Sequence, residues 1–136
     1  MKLKSFKIYE SEEDIKNFGV ELSELKWYFT DFIDDGFDIR IQPMSKLVDL
    51  KTIERPFGEY TLGEIKYIKI NFWKRGQSNS NKFNYIKFIN TQEFKDIIKE
   101  SNNRIMEYGL YIKDIIPYGS RFSILIYREI DKKYLQ

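Results

Sequence analysis

The sequence predicts an α+β fold in which two helices pack on one face of a mixed or antiparallel sheet. Two stretches carry apolar side chains at helical spacing, and several shorter stretches alternate apolar with polar residues. A glycine also follows each helical stretch, just before an alternating one. The chain has 136 residues, close to the commonest domain size, so we expect one globular domain over residues 1–136.

The first half is predicted to run strand, helix, strand. Residues 3–9 have the pattern of a short strand with exposed lysines. A helix is predicted from apolar residues that recur every three or four positions, namely Leu22, Leu25, Phe29, Phe32 and Ile33. Gly36 is placed to end this helix in a left-handed conformation. Residues 37–41 then alternate as a half-buried strand does, and Pro43 is expected to stop that strand.

The second half is predicted to contain a β-hairpin, a helix and two more strands. Residues 68–72 alternate, residues 83–89 are rich in aromatic and branched side chains, and a polar loop over residues 74–82 separates them. The second helix is predicted from Phe94, Ile97, Ile98 and Ile105, with Gly109 at its end. Strands are expected over residues 110–116 and 122–126. The order is thus β-α-β-β-β-α-β-β in the ferredoxin-like style, which two α-β-β units would also produce.

The chain contains no cysteine and no histidine, which removes most familiar enzyme chemistry. Disulfides, thiolate nucleophiles and iron–sulfur clusters need cysteine, and histidine is the usual general base and the commonest transition-metal ligand. The sequence also lacks the nucleophile-elbow, P-loop and dinucleotide-binding motifs. We therefore predict a protein that is not an enzyme, with no catalytic residues, no cofactor and no metal site.

The hydropathy pattern of the sequence indicates where in the cell the protein is expected. No apolar run approaches the roughly 20 residues that a membrane-spanning helix needs. The first residues carry lysines but lack the apolar region of a secretion signal. We expect a cytoplasmic protein with no membrane association.

Charge is distributed unevenly along the chain. Residues 10–38 contain ten acidic and two basic residues, a local net charge of −8. Residues 64–90 contain six basic residues and one acidic residue, a local net charge of +5. Such fields affect partner choice and association rate more than fold, so each segment is a candidate binding surface.

The basic segment predicts a surface for nucleic acid or another partner. Its cations would neutralise phosphates, and aromatic rings on a sheet can stack on bases. Tyr67 is expected beside Lys69, on the strand face opposite Ile68. The candidate residues are Lys66, Tyr67, Lys69, Trp73, Lys74, Arg75 and Lys82. The alternative is that the aromatic residues are core and the lysines keep strand edges from pairing.

The acidic segment predicts a second surface, suited to a basic partner. Its candidate residues are Glu24, Asp31, Asp34, Asp35 and Asp38. Most of them gather at the predicted C-terminal end of the first helix, where the helix dipole disfavours negative charge, so a role other than stability is indicated. The alternative is a solvated helix face, and no calcium-loop spacing is present. Trp27 and Tyr28 lie beside the apolar stripe, and whichever is exposed would anchor an interface.

Residues 22–41 and 105–127 resemble segments of the small accessory proteins of tailed bacteriophages with AT-rich genomes. The complete absence of alanine, whose codons are GC-rich, fits this resemblance. The resemblance implies a binding protein in the host cytoplasm that modulates or inhibits a host protein, such as a defence protein. The alternatives are a nucleic-acid-binding domain that uses the hairpin over residues 64–90, and a virion or assembly component, which would form symmetric oligomers. A protein partner is therefore expected, with nucleic acid as the alternative.

Overall fold

The computed structural model describes residues 15–49, 62–76 and 83–135, and within them it shows helices and an antiparallel sheet. The predicted α+β class is therefore confirmed. The helices are α1 (Leu22–Tyr28), α2 (Thr30–Asp34), α3 (Tyr85–Ile89), α4 (Gln92–Met106) and a closing 3-10 helix (Glu129–Tyr134). The strands are β1 (Phe37–Asp49), β2 (Leu62–Lys74), β3 (Leu110–Pro117) and β4 (Phe122–Arg128). The strand predicted over residues 3–9 lies outside the described residues.

The strands form one sheet in the order β1-β2-β4-β3, and every neighbouring pair is antiparallel. Because β2 and β3 are both antiparallel to β4, they run in the same direction. The chain passes from β2 to β3 through α3 and α4, and β4 lies between these two strands in the sheet. This is the split β-α-β arrangement of ferredoxin-like folds. The segments α2-β1-β2 and α4-β3-β4 are the two α-β-β units.

The prediction of a strand over residues 83–89 is wrong, because Tyr85–Ile89 forms the helix α3. The side-chain oxygen of Asn84 accepts a hydrogen bond from the backbone N–H of Lys87 at 3.0 Å and so caps the helix. Tyr85, Phe88 and Ile89 then face the core at helical spacing. No hairpin therefore exists over residues 64–90, and the antiparallel partners of β2 are β1 and β4.

Pro43 does not end the strand that begins at Phe37, contrary to the prediction. β1 continues to Asp49, and Pro43 lies opposite Ile68 of β2. In the described sheet β1 is an edge strand, which needs hydrogen bonds on one side only. Proline lacks a backbone N–H and is tolerated at such an edge, whereas it would break the ladder of a central strand.

The two glycines that were predicted to end helices do so. The φ angle is 93° at Gly36 and 73° at Gly109, in the region that favours glycine. The N–H of Gly36 donates to the carbonyl of Ile33 at 3.0 Å, and that of Gly109 donates to Met106 at 3.0 Å. Each glycine therefore turns the chain from a helix directly into an edge strand.

The apolar core lies between the helices and one face of the sheet. The central strands contribute side chains with no exposed surface, namely Ile68, Ile70, Phe72, Phe122, Ile124 and Ile126. The helices cover them with Leu25, Phe32, Phe94 and Ile105. No helix in the described part of the chain is long and apolar enough to cross a membrane. The described α-helices that contribute to this core pack on the same side of the sheet, and the strands have a second face on the opposite side.

Candidate nucleic-acid interface

The sheet has a second face, on the side away from the helices. Successive residues of a strand point to opposite sides, so the positions between the core residues lie on this face. We call it the second face, and its polar and aromatic members include Arg40, Gln42, Lys46, Tyr67, Lys69, Asn71, Trp73, Ser123 and Tyr127. Met44, Ile65 and Leu125 are apolar members of the same face. Among residues 15–49, 62–76 and 83–135, no α-helix packs on it.

Two tyrosines stack at one end of the second face. The rings of Tyr67 and Tyr127 are nearly parallel, with centroids 4.7 Å apart and an interplanar angle of 8°. Tyr127 is buried, whereas Tyr67 keeps part of its ring exposed. The Lys46 ammonium lies 5.1 Å from the centroid of the Tyr127 ring, within the range of a cation–π contact. Tyr67 is therefore the member of the pair whose ring is open to stacking, with Tyr127 packed behind it and a cation beside the pair.

Burial raises the pKa of the Tyr67, Tyr111 and Tyr127 phenols above the usual value. Desolvation of the phenolate is the largest cause of the raised pKa at Tyr67 and Tyr127, and charged or ionisable neighbours have smaller effects on it. These phenols therefore stay neutral at physiological pH. A neutral phenol ring can stack on a base without adding negative charge near a phosphate.

A polar ladder crosses the middle of the second face. The Ser123 hydroxyl donates to Oδ1 of Asn71 at 2.6 Å, and Nδ2 of Asn71 donates to Oε1 of Gln42 at 3.2 Å. The ladder thus joins β4, β2 and β1 through their side chains. Within the described residues the amide nitrogen of Gln42 has no acceptor. Amide groups of this type hydrogen-bond the edges of bases.

Three cations flank this ladder. In the register of β1 and β2, Arg40 lies opposite Asn71 and Lys69 lies opposite Gln42. Lys46 follows six residues after Arg40, about 20 Å along the strand at roughly 3.3 Å per residue. None of the three has a carboxylate within 4.0 Å in the described part of the chain. As far as the structure describes the chain, the second face therefore carries three cations without a carboxylate partner.

The carboxylates near the second face are already paired. Asp38 lies 3.2 Å from the Arg75 guanidinium, and Asp114 lies 3.1 Å from the Lys113 ammonium. At the β3–β4 turn, the Tyr118 ring lies 4.5 Å from the Arg121 guanidinium and 5.8 Å from the Lys69 ammonium. Tyr118 is exposed. This turn thus extends the combination of cations and aromatic rings beyond the strands.

The comparisons with known proteins do not assign the chain to a group. No protein-family model, curated protein or solved structure matches it. The likeness to phage accessory proteins therefore remains a resemblance in the sequence. Function has to be argued from the second face and the other surfaces of this molecule.

The residues predicted for the basic surface do not share one face. Tyr67, Lys69 and Trp73 lie on the second face, as the strand alternation predicted for Tyr67 and Lys69. Lys66 is exposed on the other side, where it lines a cavity of about 200 Å³. Lys74 and Arg75 lie at the end of β2, and their side chains reach the C-terminal end of α2. Lys82 is outside the described residues.

Lys74 and Arg75 bind the C-terminal end of α2. The Lys74 ammonium donates to the carbonyl of Asp35. The Arg75 guanidinium donates to the carbonyls of Ile33 at 2.8 Å and Phe37 at 3.4 Å. Lys74, the last residue of β2, and Arg75, which follows it, supply the cations that the helix dipole favours at this end. Of the acidic side chains there, Asp38 forms an ion pair with Arg75.

The predicted acidic surface is dispersed in the same way. Asp38 pairs with Arg75, and Glu24 accepts a hydrogen bond from the Tyr108 hydroxyl at 2.6 Å. The Glu24 hydrogen bond is also the main reason why the pKa of the Tyr108 phenol is raised. Asp31, Asp34 and Asp35 remain around the end of α2. No group of three or more His, Cys, Asp or Glu side chains in the described ranges could hold a metal ion.

Sequence reasoning missed several members of the second face, including Arg40, Gln42, Lys46, Ser123 and Tyr127. The alternation of residues 37–41 already placed Arg40 on the solvent side of β1. It carried no information that β1 and β4 would flank β2. The register of these strands was therefore the missing signal, because side chains far apart in the sequence form the face.

Replacing Arg75 with glutamine is expected to destabilise the fold by about 1 kcal/mol, since the Ile33 carbonyl at the helix end and the Phe37 carbonyl of β1 lose a charged donor. The exposed Arg75–Asp38 ion pair should add little to this loss. Urea unfolding would measure the change. Arg40→Gln is the matched control, because the Arg40 side chain is exposed and makes no hydrogen bond to another described residue. An equal loss in both variants would contradict the helix-end role.

Stability is also expected to fall as the pH rises above about 10. The unfolded chain releases its tyrosine protons near pH 10, whereas the folded chain holds those of Tyr67, Tyr111 and Tyr127 to higher pH. The folded state then binds more protons, so alkali favours unfolding, and the full contribution is present below pH 10. Urea midpoints at pH 8 and pH 11 would show this. Tyr127→Phe should reduce the difference, and an undiminished difference would argue against this assignment.

Proposed function

We propose that this protein is a non-enzymatic binding protein that holds single-stranded nucleic acid on the second face of its sheet. The observation that carries the proposal is the coincidence of three kinds of group on one surface. Among the described residues, the cations Arg40, Lys46 and Lys69 have no carboxylate within 4.0 Å, and the amide nitrogen of Gln42 has no acceptor. The face also presents aromatic rings at Tyr67 and Trp73. Cations bind phosphates, rings stack on bases, and amides bind base edges.

A single strand suits this surface better than a duplex. Stacking on a tyrosine needs an unpaired base whose face is free, and a sheet presents its rings on a broad surface. A double helix is usually read by an element that enters a groove, such as a helix or a two-stranded ribbon. The second face offers rings and amides between strands, and no described α-helix projects from it.

The first experiment is a titration of fluorescently labelled oligonucleotides, followed by anisotropy at two salt concentrations. We expect single-stranded DNA or RNA to bind more tightly than a duplex of the same length. The affinity should fall with salt, with a slope of log K against log salt of about −0.7 for each phosphate contact. Equal binding of duplex and single strand would contradict stacking, and no binding at low salt would remove the proposal.

A protein partner is the second candidate, and one observation favours it. Trp27 on α1 is 69% exposed, whereas the neighbouring Tyr28 donates a hydrogen bond to Tyr108. A large exposed aromatic side chain on a helix is typical of an interface anchor. Inhibition of a host protein by a phage accessory protein would use such a surface. Trp27→Ala would then abolish capture of the partner and leave oligonucleotide binding unchanged.

A further inference from the structure

A groove separates α4 from the edge strand β3. It has a volume of about 410 Å³, within the range of small-molecule sites. Its floor is apolar and consists mainly of Ile89, Phe94, Ile98, Ile112 and Ile115. Phe94 is buried, and the four isoleucines are half-buried, so their side chains reach the opening. The groove is a separate surface from the polar ladder of the second face.

The strand beside the groove is closed to pairing with another strand. Oδ1 of Asn102 accepts the backbone N–H of Ile112 at 2.8 Å. The register of β3 then shifts between Ile112 and Asp114, which distorts the edge at Lys113. Bulges and charged side chains are means by which proteins prevent pairing at a sheet edge. An extended peptide added to the sheet is therefore not the occupant that this groove fits.

The opening of the groove is positively charged. Lys95 and Lys99 lie one turn apart on α4, and both line the groove and are exposed. Neither has a carboxylate within 4.0 Å among the residues that the structure describes. Lys113 also lines the groove, but its ammonium is 3.1 Å from Asp114. Two cations that no described carboxylate neutralises thus lie above an apolar floor.

We infer that this groove binds a free fatty-acid anion. The alkyl chain would lie on the isoleucine floor, where its transfer from water is favourable. The carboxylate would lie between the Lys95 and Lys99 ammonium groups, which offer six N–H donors and compensate its charge. The ligand combines one apolar body with one anionic head, as the groove combines one apolar floor with one cationic opening.

The test is a titration of the isotopically labelled protein with decanoate below its micelle concentration, followed by amide NMR. We expect shifts confined to the groove, at residues such as Ile98, Asn102 and Ile115. The methyl ester of decanoate, which lacks the charge, should bind at least fivefold more weakly. Shifts scattered over the molecule, equal binding of the ester, or no shifts would each overturn the inference.

A matched pair of variants tests the charge. Lys95→Gln with Lys99→Gln should weaken decanoate binding at least fivefold, and the fold should persist because both side chains are exposed. Lys26→Gln with Lys87→Gln removes the same charge from helix surfaces outside the groove and should change nothing. An equal loss in both pairs would overturn the assignment. Oligonucleotide binding measured on the same variants shows whether the second face fails or holds independently.

Discussion

Charge reversal at Arg40 and Lys69 together is expected to weaken binding of a single-stranded oligonucleotide by roughly a hundredfold at low salt. Both cations flank the ladder at Gln42 and lack a carboxylate partner in the described structure. A charge-assisted hydrogen bond contributes about 1.5–3 kcal/mol, and about 1.4 kcal/mol is a factor of ten, so two lost contacts give this magnitude. Anisotropy titration of the double variant against the unmodified protein measures it.

The salt dependence makes this prediction specific to phosphate contacts. Loss of two contacts should make the slope of log K against log salt shallower by about 1.4. Lys26→Glu with Lys87→Glu changes the net charge equally on the helical side and should alter the affinity only slightly. If this control pair weakens binding as much as the reversal on the second face, the nucleic acid binds elsewhere or responds to net charge alone.

The largest loss of stability is expected from Phe32→Ala, at about 3–5 kcal/mol. The Phe32 ring is fully buried, and its centroid lies 5.1 Å from that of Phe72 and 5.6 Å from those of Phe94 and Phe122. These neighbours belong to β2, α4 and β4, so the cavity would open where α2 and α4 meet the sheet. The surrounding rings are rigid and would fill the space only in part.

Urea unfolding, followed by circular dichroism, would measure this loss. Ile86→Ala is the matched control, because Ile86 is a large apolar residue of α3 that is 63% exposed. Its replacement should change the free energy of unfolding by less than about 0.5 kcal/mol. A Phe32→Ala loss below about 1 kcal/mol would show that the aromatic cluster does not hold the helices to the sheet.

The elements predicted correctly were those in which the apolar periodicity continues over enough residues to be distinctive. The helix that became α4 and the strand β4 were both recognised from their spacing. Residues 83–89 were misread because a short apolar run fits a buried strand and a single helical turn equally well. Pro43 was misread because the edge position of β1 is a property of the assembled sheet.

The candidate site was predictable only within a single strand. Alternation along β2 was sufficient to place Tyr67 and Lys69 on the face opposite Ile68. It could not show that Gln42, Asn71 and Ser123 would meet, because these residues come from three strands. It also could not show that Lys74 and Arg75 would bind carbonyl groups about 40 positions earlier in the chain. Strand register and long-range contacts decide these features.

The attachment of Lys74 and Arg75 to the end of α2 has a consequence for the order of folding. α2 has five residues, too few for a helix that is stable by itself. The end of α2 has a local hydrogen bond from Gly36 to Ile33, but it gains the charged donors of Lys74 and Arg75 only after β2 has paired with β1. The helix end and the β1–β2 pairing are therefore expected to form cooperatively. The last turn of α2 and the β1–β2 ladder should therefore behave as one foldon, with their amide protons exchanging in the same opening event.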